Sequence, residues 1–386
     1  MQKKRSVLVM LGWNDPAVLR VIARFARDTG WHIESRIFYT EQVPEGWRGD
    51  GMLVSSGTRE DVRRFICRQA PRQPTVVIGG NSLGFAAPSV QGDDREAGRL
   101  AARHFIERNH RHFAWFSPLA GRVVDDRREG FCEELAKAGF PCTLLEYRSA
   151  SASPHDWSRR RRWLARHLGK LPRPLALFAL DDQLAQEAIE VCVEQGWQIP
   201  TEISIMGVGN LPLACECSFV PISSIDVREE EVALRAAQLL EALMSGAPAP
   251  AAPIVLPPRG IVVRQSSDTL AVRGDALQQA IRFMQANLAR PIGVEAIAEA
   301  AGISRRLLYD LFQAELARSP ARLLEEFRLE HACRQLRETK DDIPAIAKAS
   351  GFGTRRTFDR SFLRLKNLSP AAWRRQHAIG PEGPRV

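Results

Sequence analysis

Ile297-Ala-Glu-Ala-Ala-Gly302-Ile-Ser-Arg305-Arg306 and Ile346-Ala-Lys-Ala-Ser-Gly351-Phe-Gly-Thr-Arg355-Arg356 are two versions of one phrase. The first runs on through Leu308 and Phe312 to Ser319-Pro320, the second through Phe358 and Phe362 to Ser369-Pro370. The offset is 49 up to the glycines (302 to 351) and 50 after them (308 to 358), so one residue is inserted at the turn. Each copy has the parts of a helix-turn-helix. Ile-Ala pairs one apolar with one small residue, so two helices can approach closely. The glycine permits a left-handed turn. Two apolar residues four apart anchor the second helix and leave its opposite face free for a groove. On that face the first copy presents Arg305, Arg306, Tyr309 and Asp310, and the second Arg355, Arg356, Asp359 and Arg360. A guanidinium fork can bond both O6 and N7 of guanine. Arg364, Lys366, Arg374 and Arg375 are read as phosphate contacts, which set affinity and salt dependence. The partner expected from this pattern is an operator in double-stranded DNA.

The sequence around the copies supports the same reading. Leu277, Ile281, Met284 and Leu288 form a helical stripe that Pro291 and Gly293 should stop. Ser319-Pro320 is an N-cap followed by proline at the first helical position. The helix it starts buries Leu329, Ala332, Cys333 and Leu336 and spaces the two copies. Residues 272–386 hold 20 Lys+Arg against 13 Asp+Glu, while the rest of the chain holds 34 against 32. The basic excess therefore sits on the repeat, as binding a polyanion requires.

From residue 6 to about 265 the pattern changes. Apolar runs at 7–11, 33–38, 52–54, 76–78, 113–116, 143–146, 176–179 and 204–208 read as strands. Helical patterns at 17–29, 96–108, 129–138, 157–168, 184–195 and 230–244 alternate with them. Such alternation means parallel sheets with covered faces, and two series in this length predict two similar α/β lobes. A Pro/Ala connector at 245–253 leads to a last strand pair near 254–256 and 260–263. The division expected is 1–265 for the α/β domain, 266–275 for a polar linker and 276–380 for an all-α domain with two helix-turn-helix units.

Several classes recede on composition. A hydrophobic fraction of 45% supports real cores. Seven scattered cysteines argue against a disulfide framework and for a reducing cytoplasm. Cys215 and Cys217 form a close pair that no second Cys/His pair completes, so no metal is expected. No apolar stretch approaches transmembrane length, and the run 7–11 is too short for a signal peptide, so no membrane partner is expected. There is no P-loop, Gly-x-Gly-x-x-Gly or Gly-x-Ser-x-Gly, and no cofactor is expected. The acid pairs Asp93-Asp94, Asp125-Asp126 and Asp181-Asp182 are what a sugar-processing enzyme would use, but at helix starts they read as caps, so no catalytic residue is assigned. The alternative functions are a plain sugar-binding protein or a sugar-processing enzyme without DNA regulation.

On these residues, 277–377 resembles the C-terminal domain of AraC-type transcription regulators. Asp310, where the family is often basic, and Pro344, in the first turn of a helix that usually carries an acid there, depart from its pattern. Upstream, Asp94-Arg-Glu-Ala-Gly98, Arg127-Arg-Glu-Gly130-Phe131, Ala179-Leu-Asp-Asp182, Pro200-Thr-Glu-Ile-Ser-Ile-Met-Gly-Val-Gly209-Asn210 and Ile222-Ser-Ser-Ile-Asp226 occur in the order of LacI-type sensor domains. That resemblance implies a two-lobed, periplasmic-binding-protein-like fold with a small-molecule effector between the lobes, a monosaccharide such as xylose. It also implies a cytoplasmic homodimer, activation more than repression, and hence contact with RNA polymerase. Ligands in such sheets bind beyond the carboxyl ends of the strands. The expected ligand residues are Trp13 for stacking, Asn14, Asp94, Arg127 and Asp182 for hydroxyls, and Asn210 for an amide contact. Gly209 stands where the family usually carries an acid.

Overall fold

The computed structural model describes residues 4–12, 15–55, 59–80, 83–148, 157–272 and 274–377. They form two compact units, Met1–Thr269 and Leu270–Val386.

The first unit holds twelve strands among its described residues: β1 (Arg5–Met10), β2 (Trp31–Glu34), β3 (Gly51–Ser55), β4 (Thr75–Ile78), β5 (Ser89–Gly92), β6 (His112–Ser117), β7 (Cys142–Glu146), β8 (Leu175–Ala179), β9 (Ile203–Val208), β10 (Ser223–Asp226), β11 (Ile254–Leu256) and β12 (Gly260–Val262). They build two six-stranded sheets, ordered β11-β5-β4-β3-β1-β2 and β12-β10-β9-β8-β6-β7. Every pairing is parallel except β10 with β12. Central strands such as Leu175–Ala179 are buried along their whole length, because helices cover both faces. Each sheet has its own core, one around Val7, Leu53 and Val76 and the other around Trp115, Phe131 and Phe178.

The two lobes are not the two halves of the sequence. The chain leaves the first lobe between β5 and the helix Asp94–Glu107. It returns between β10 and the helix Glu229–Met244, whose Val232, Ala236 and Leu240 bury against the first sheet. It crosses a third time between β11 and β12. The strands expected as a final pair thus join different sheets: β11 lies parallel to β5, and β12 lies antiparallel to β10. Hydrogen bonds tie the crossings together, with Asp93 N on Leu256 O at 2.9 Å and Arg259 N on Asp226 O at 2.8 Å. β2 ends at Glu34 where a strand to 38 was expected, and Ile37–Thr40 is a turn of helix. The polar segment expected as linker is built into the second lobe at its start. Ser266 Oγ donates to Ile205 O at 2.6 Å, and Ser267 Oγ lies 2.8 Å from buried His104 Nε2.

The second unit is helical. Its helices are Asp275–Ala286, Val294–Ala300, Arg305–Leu316, Pro320–Glu338, Ile343–Ala349, Arg355–Lys366 and Pro370–His377. The first helix ends at Ala286, before the proline expected to stop it. The long helix Pro320–Glu338 feeds two cores. Its Leu323 and Leu324 join Leu277, Ile281, Ile297, Leu308 and Phe312; its Leu329, Ala332, Cys333 and Leu336 join Ile346, Phe358, Phe362 and Trp373. Pro344 sits within the first turn, where the missing N–H is no loss, and Asp342 caps that helix through Ala345 N at 2.7 Å.

Candidate functional site

Between the lobes of the first unit lies a cavity of about 400 Å³, within the roughly 300–1,000 Å³ typical of small-molecule sites. Ile78, Val124, Leu180, Val227 and Val232 give it apolar walls, and Asp94, Arg127, Asp181 and Glu229 supply its charged groups. Both lobes contribute. Asp94 and Arg127 come from two helices of the second lobe, Asp94–Glu107 and Arg122–Lys137. Their crossing is unusually tight. A β-carbon on Gly98 would sit 2.1 Å from Arg127 O, and one on Gly130 1.9 Å from Arg95 O. Only glycine allows that approach, and the approach brings Arg127 Nε to 2.7 Å from Asp94 Oδ1. Arg127 Nη1 also donates to Leu180 O at 2.6 Å. The guanidinium is thereby fixed at the cavity wall, with its pairing to Asp94 largely out of water.

The adjacent acids Asp181 and Asp182 have separate tasks. Asp181 caps the helix Asp182–Glu194 by accepting from Leu184 N at 2.8 Å, and it lines the cavity. Asp182 does not line it. Its buried carboxylate accepts from Ser224 Oγ at 2.5 Å and Leu211 N at 2.8 Å, which pins the loop after β9. Burial pushes both carboxyls above the usual range, with the Ser224 and Leu211 bonds opposing it at Asp182. Asn210 likewise does not line the cavity. Its Oδ1 accepts from Arg264 Nη2 at 2.8 Å and its N–H donates to Ser224 Oγ at 2.9 Å. The expected bracket of Arg127 with Asp182 and Asn210 is therefore not what the structure brings together, because Ser224 and Arg264 have claimed the latter two. Trp13 and Asn14 lie outside the described residues. Gly209 carries a φ of 122° with Asp182 Oδ2 3.3 Å from where its β-carbon would be, so Asp182 already fills the space an acid would need.

Glu229, which sequence reasoning missed, enters the cavity from the start of its helix. Burial pushes its carboxyl up to about 7; the Arg127 charge opposes this and the Asp15 carboxyl reinforces it. Asp15 caps the helix Pro16–Thr29 through Ala17 N at 2.7 Å. The signal available was positional. Glu229 follows β10 at a lobe crossing, and a helix start after a parallel strand faces the cleft. Asp181 was missed because adjacent acids cannot be told apart until the helix start is known. Among the described residues, no three His, Cys, Asp or Glu side chains stand close enough to hold a metal ion.

In the second unit, Ser304 and Thr354 cap the reading helices through Leu307 N at 3.2 Å and Thr357 N at 3.1 Å. Those caps place both Arg-Arg pairs in the first turn. Leu308, Phe312, Phe358 and Phe362 are buried, while Arg305, Arg306, Asp310, Arg355, Arg356 and Arg360 are exposed. Arg305 pairs with Glu295 at 2.8 Å and lies over the Tyr309 ring, which is itself exposed. Asp359 accepts from Arg355 Nε at 2.8 Å, so it orients that arginine. Arg306, Arg356, Arg360 and Asp310 make no ion pair among the described residues. Of the expected phosphate contacts, Arg364 is held by Glu325 and Arg374 by Asp341 O, while Lys366 and Arg375 are exposed.

A two-lobed cleft domain followed by twin helix-turn-helix units defines a DNA-binding transcription regulator with a small-molecule sensor. The periplasmic binding protein-like domain family matches residues 102–267, and the helix-turn-helix domain family matches residues 297–376. The chain thus joins a periplasmic binding protein-like domain to an AraC-type helix-turn-helix domain. It is similar to the xylose operon regulatory protein of Escherichia coli strain K12, at 24% identity over 85% of this chain and 84% of that protein. The solved structure of a xylose-binding transcription activator shares the fold, with a TM-score of 0.62 and 21% identity over 98% of this chain and 99% of the other. The arabinose metabolism transcriptional repressor of Geobacillus stearothermophilus is 30% identical over 43% of this chain and 46% of its own length.

Proposed function

We propose that a monosaccharide-like effector binds between the sensor lobes and controls transcription through the twin reading helices. The observation that carries this is the cavity of about 400 Å³ with one fixed guanidinium and several carboxylates set in apolar walls. Planar acceptors and donors recognise hydroxyls, and apolar walls take the carbon face of a ring. Relatives named for xylose and arabinose support a sugar-like effector. Asp94, Arg127, Asp181 and Glu229 contact the effector. Trp13 and Asn14, next along the chain from β1, are further candidates. Arg305, Arg306, Tyr309, Asp310, Arg355, Arg356 and Arg360 contact bases and Asp359 aims Arg355. Effector binding favours the lobe arrangement in which both lobes touch it, and that shift is what the DNA-binding unit reads.

The protein works in the cytoplasm as a homodimer on paired half-sites, and as an activator it meets RNA polymerase. Leu213 and Phe219, 79% and 74% exposed on the second lobe, support a self-association face there. A thermal-shift screen against pentoses and hexoses tests the effector reading. A site at 100 times its dissociation constant adds about 2.7 kcal/mol. Stabilisation by one sugar or a few related ones is expected, and silence across these sugars and their amino forms alike would remove the reading.

A further inference from the structure

We infer that the effector carries a protonated amine, as an amino sugar or amino polyol does. This rests on the reading of the cleft as the effector site and narrows its chemistry. The charged groups lining the cavity are three carboxylates, Asp94, Asp181 and Glu229, against the single guanidinium of Arg127. That guanidinium is already occupied, by Asp94 at 2.7 Å and Leu180 O at 2.6 Å. Asp94 and Arg127 cancel, which leaves Asp181 and Glu229 in excess, with the Asp15 carboxyl behind Glu229. Arg122, near Gly80, is turned to Asp126 at 3.6 Å, and Arg228, between Val227 and Glu229 in the chain, pairs with Glu231 at 3.4 Å.

Asp181 has a donor in Leu184 N, whereas the partner of Glu229 is another acid, Asp15, and two carboxyls in contact share at most one proton and keep a negative charge between them. A carboxylate in an apolar wall needs either a proton or a cation. A bare metal ion is a poor answer, since no three ligating side chains converge among the described residues. A primary ammonium is a good one. It brings one positive charge and three N–H donors on a small head, which suits two carboxylates reached from opposite lobes. A neutral sugar would offer hydroxyls to Glu229 and leave the charge excess where it is.

The test uses the full chain and calorimetric titration with matched compounds. Aldopentoses and aldohexoses are compared with their 2-amino-2-deoxy and 1-amino-1-deoxy forms and with the N-acetylated amines. The result expected is at least one free amine binding tenfold or more tighter than its neutral parent, with acetylation removing the advantage. Glu229→Gln should bring that ratio close to one. Asp181→Asn should reduce it while keeping the helix cap, because Asn caps as well as Asp. Circular dichroism and retention on bulk DNA verify that both variants are folded. A neutral sugar that binds as tightly as every amine partner overturns the amine and leaves the sugar-sensor reading standing. No heat from either series overturns both. An amine advantage that survives Glu229→Gln and Asp181→Asn together also overturns the inference.

Discussion

Glu229 opens a helix, where the positive end of the helix dipole favours a negative charge, yet burial beside Asp15 pushes its carboxyl up to about 7 from an ordinary 4.5. Burial thus outweighs the dipole. The charged groups facing it are Asp15, Arg127 and Asp182, with Asp181 across the cavity. A carboxyl whose folded value is raised favours folding while it is protonated. Its contribution is full below about pH 4.5 and is lost as pH rises through about 7. Glu229→Gln should therefore melt higher than the parent at pH 8, by about 1–2 kcal/mol after allowance for solvent in the cavity, with the difference vanishing toward pH 5. Equal melting at pH 8 would mean that a neighbour already neutralises the charge. Arg127 carries the opposite expectation. Arg127→Ala strips Asp94 of its partner, and about 1–3 kcal/mol of stability should go with the effector response. Arg127 and Asp94 were readable from sequence as cleft residues because their motifs are long. Asp182 and Asn210 were not readable as residues held away from the cavity. Their partners Ser224 and Arg264 lie 42 and 54 residues away, and nothing local announces those bonds.

The motifs around Asp94 and Arg127 become physical at the level of the helices that carry them. Gly98 and Gly130 are what let Asp94–Glu107 and Arg122–Lys137 cross within backbone contact. Gly98→Ala or Gly130→Ala must push the helices apart, because the obstacle is a carbonyl oxygen rather than a flexible side chain. Either change should destabilise the sensor by about 2–4 kcal/mol and weaken effector binding more than a wall substitution such as Val232→Ala. Denaturant titration followed by effector titration separates the two effects; an effector affinity unchanged in Gly130→Ala would show that the crossing does not set the Arg127 position. Element types in long periodic stretches were legible, and the twin helix-turn-helix units were legible down to the single residue inserted at the turn before the Thr354 cap. β5 was not, since Ser-Val-Gln-Gly has one apolar residue and no period. The lobe membership of β11 was not either. Its partner β5 lies far back in the chain, and three-residue strands carry no record of which sheet they join.

At the scale of the whole molecule, each unit has its own cores, and each carries its own candidate site, a cavity in the first and exposed arginine pairs in the second. Arg355→Ala with Arg356→Ala removes exposed groups that hold no part of either core, so specific DNA binding should fall while effector-induced stabilisation of the sensor stays intact. The coupling between the sites obeys a stricter rule. If effector changes operator affinity by some factor, operator must change effector affinity by the same factor. Typical couplings of roughly 1–3 kcal/mol correspond to about 5–150-fold, well within reach of titrations. Operator affinity with and without effector, and effector affinity with and without operator, should therefore move together and by equal ratios at one fixed salt concentration, since phosphate contacts make the DNA term salt-dependent. Equal ratios well above one would mean that effector acts by tightening the grip on DNA. Ratios of one on both sides, with transcription still effector-dependent, would place control in how a bound protein presents itself to polymerase, because a ligand with no differential affinity cannot shift occupancy. The Arg355/Arg356 variant then discriminates further: lost reading contacts weaken operator binding in either case, but only in the first does effector restore part of it.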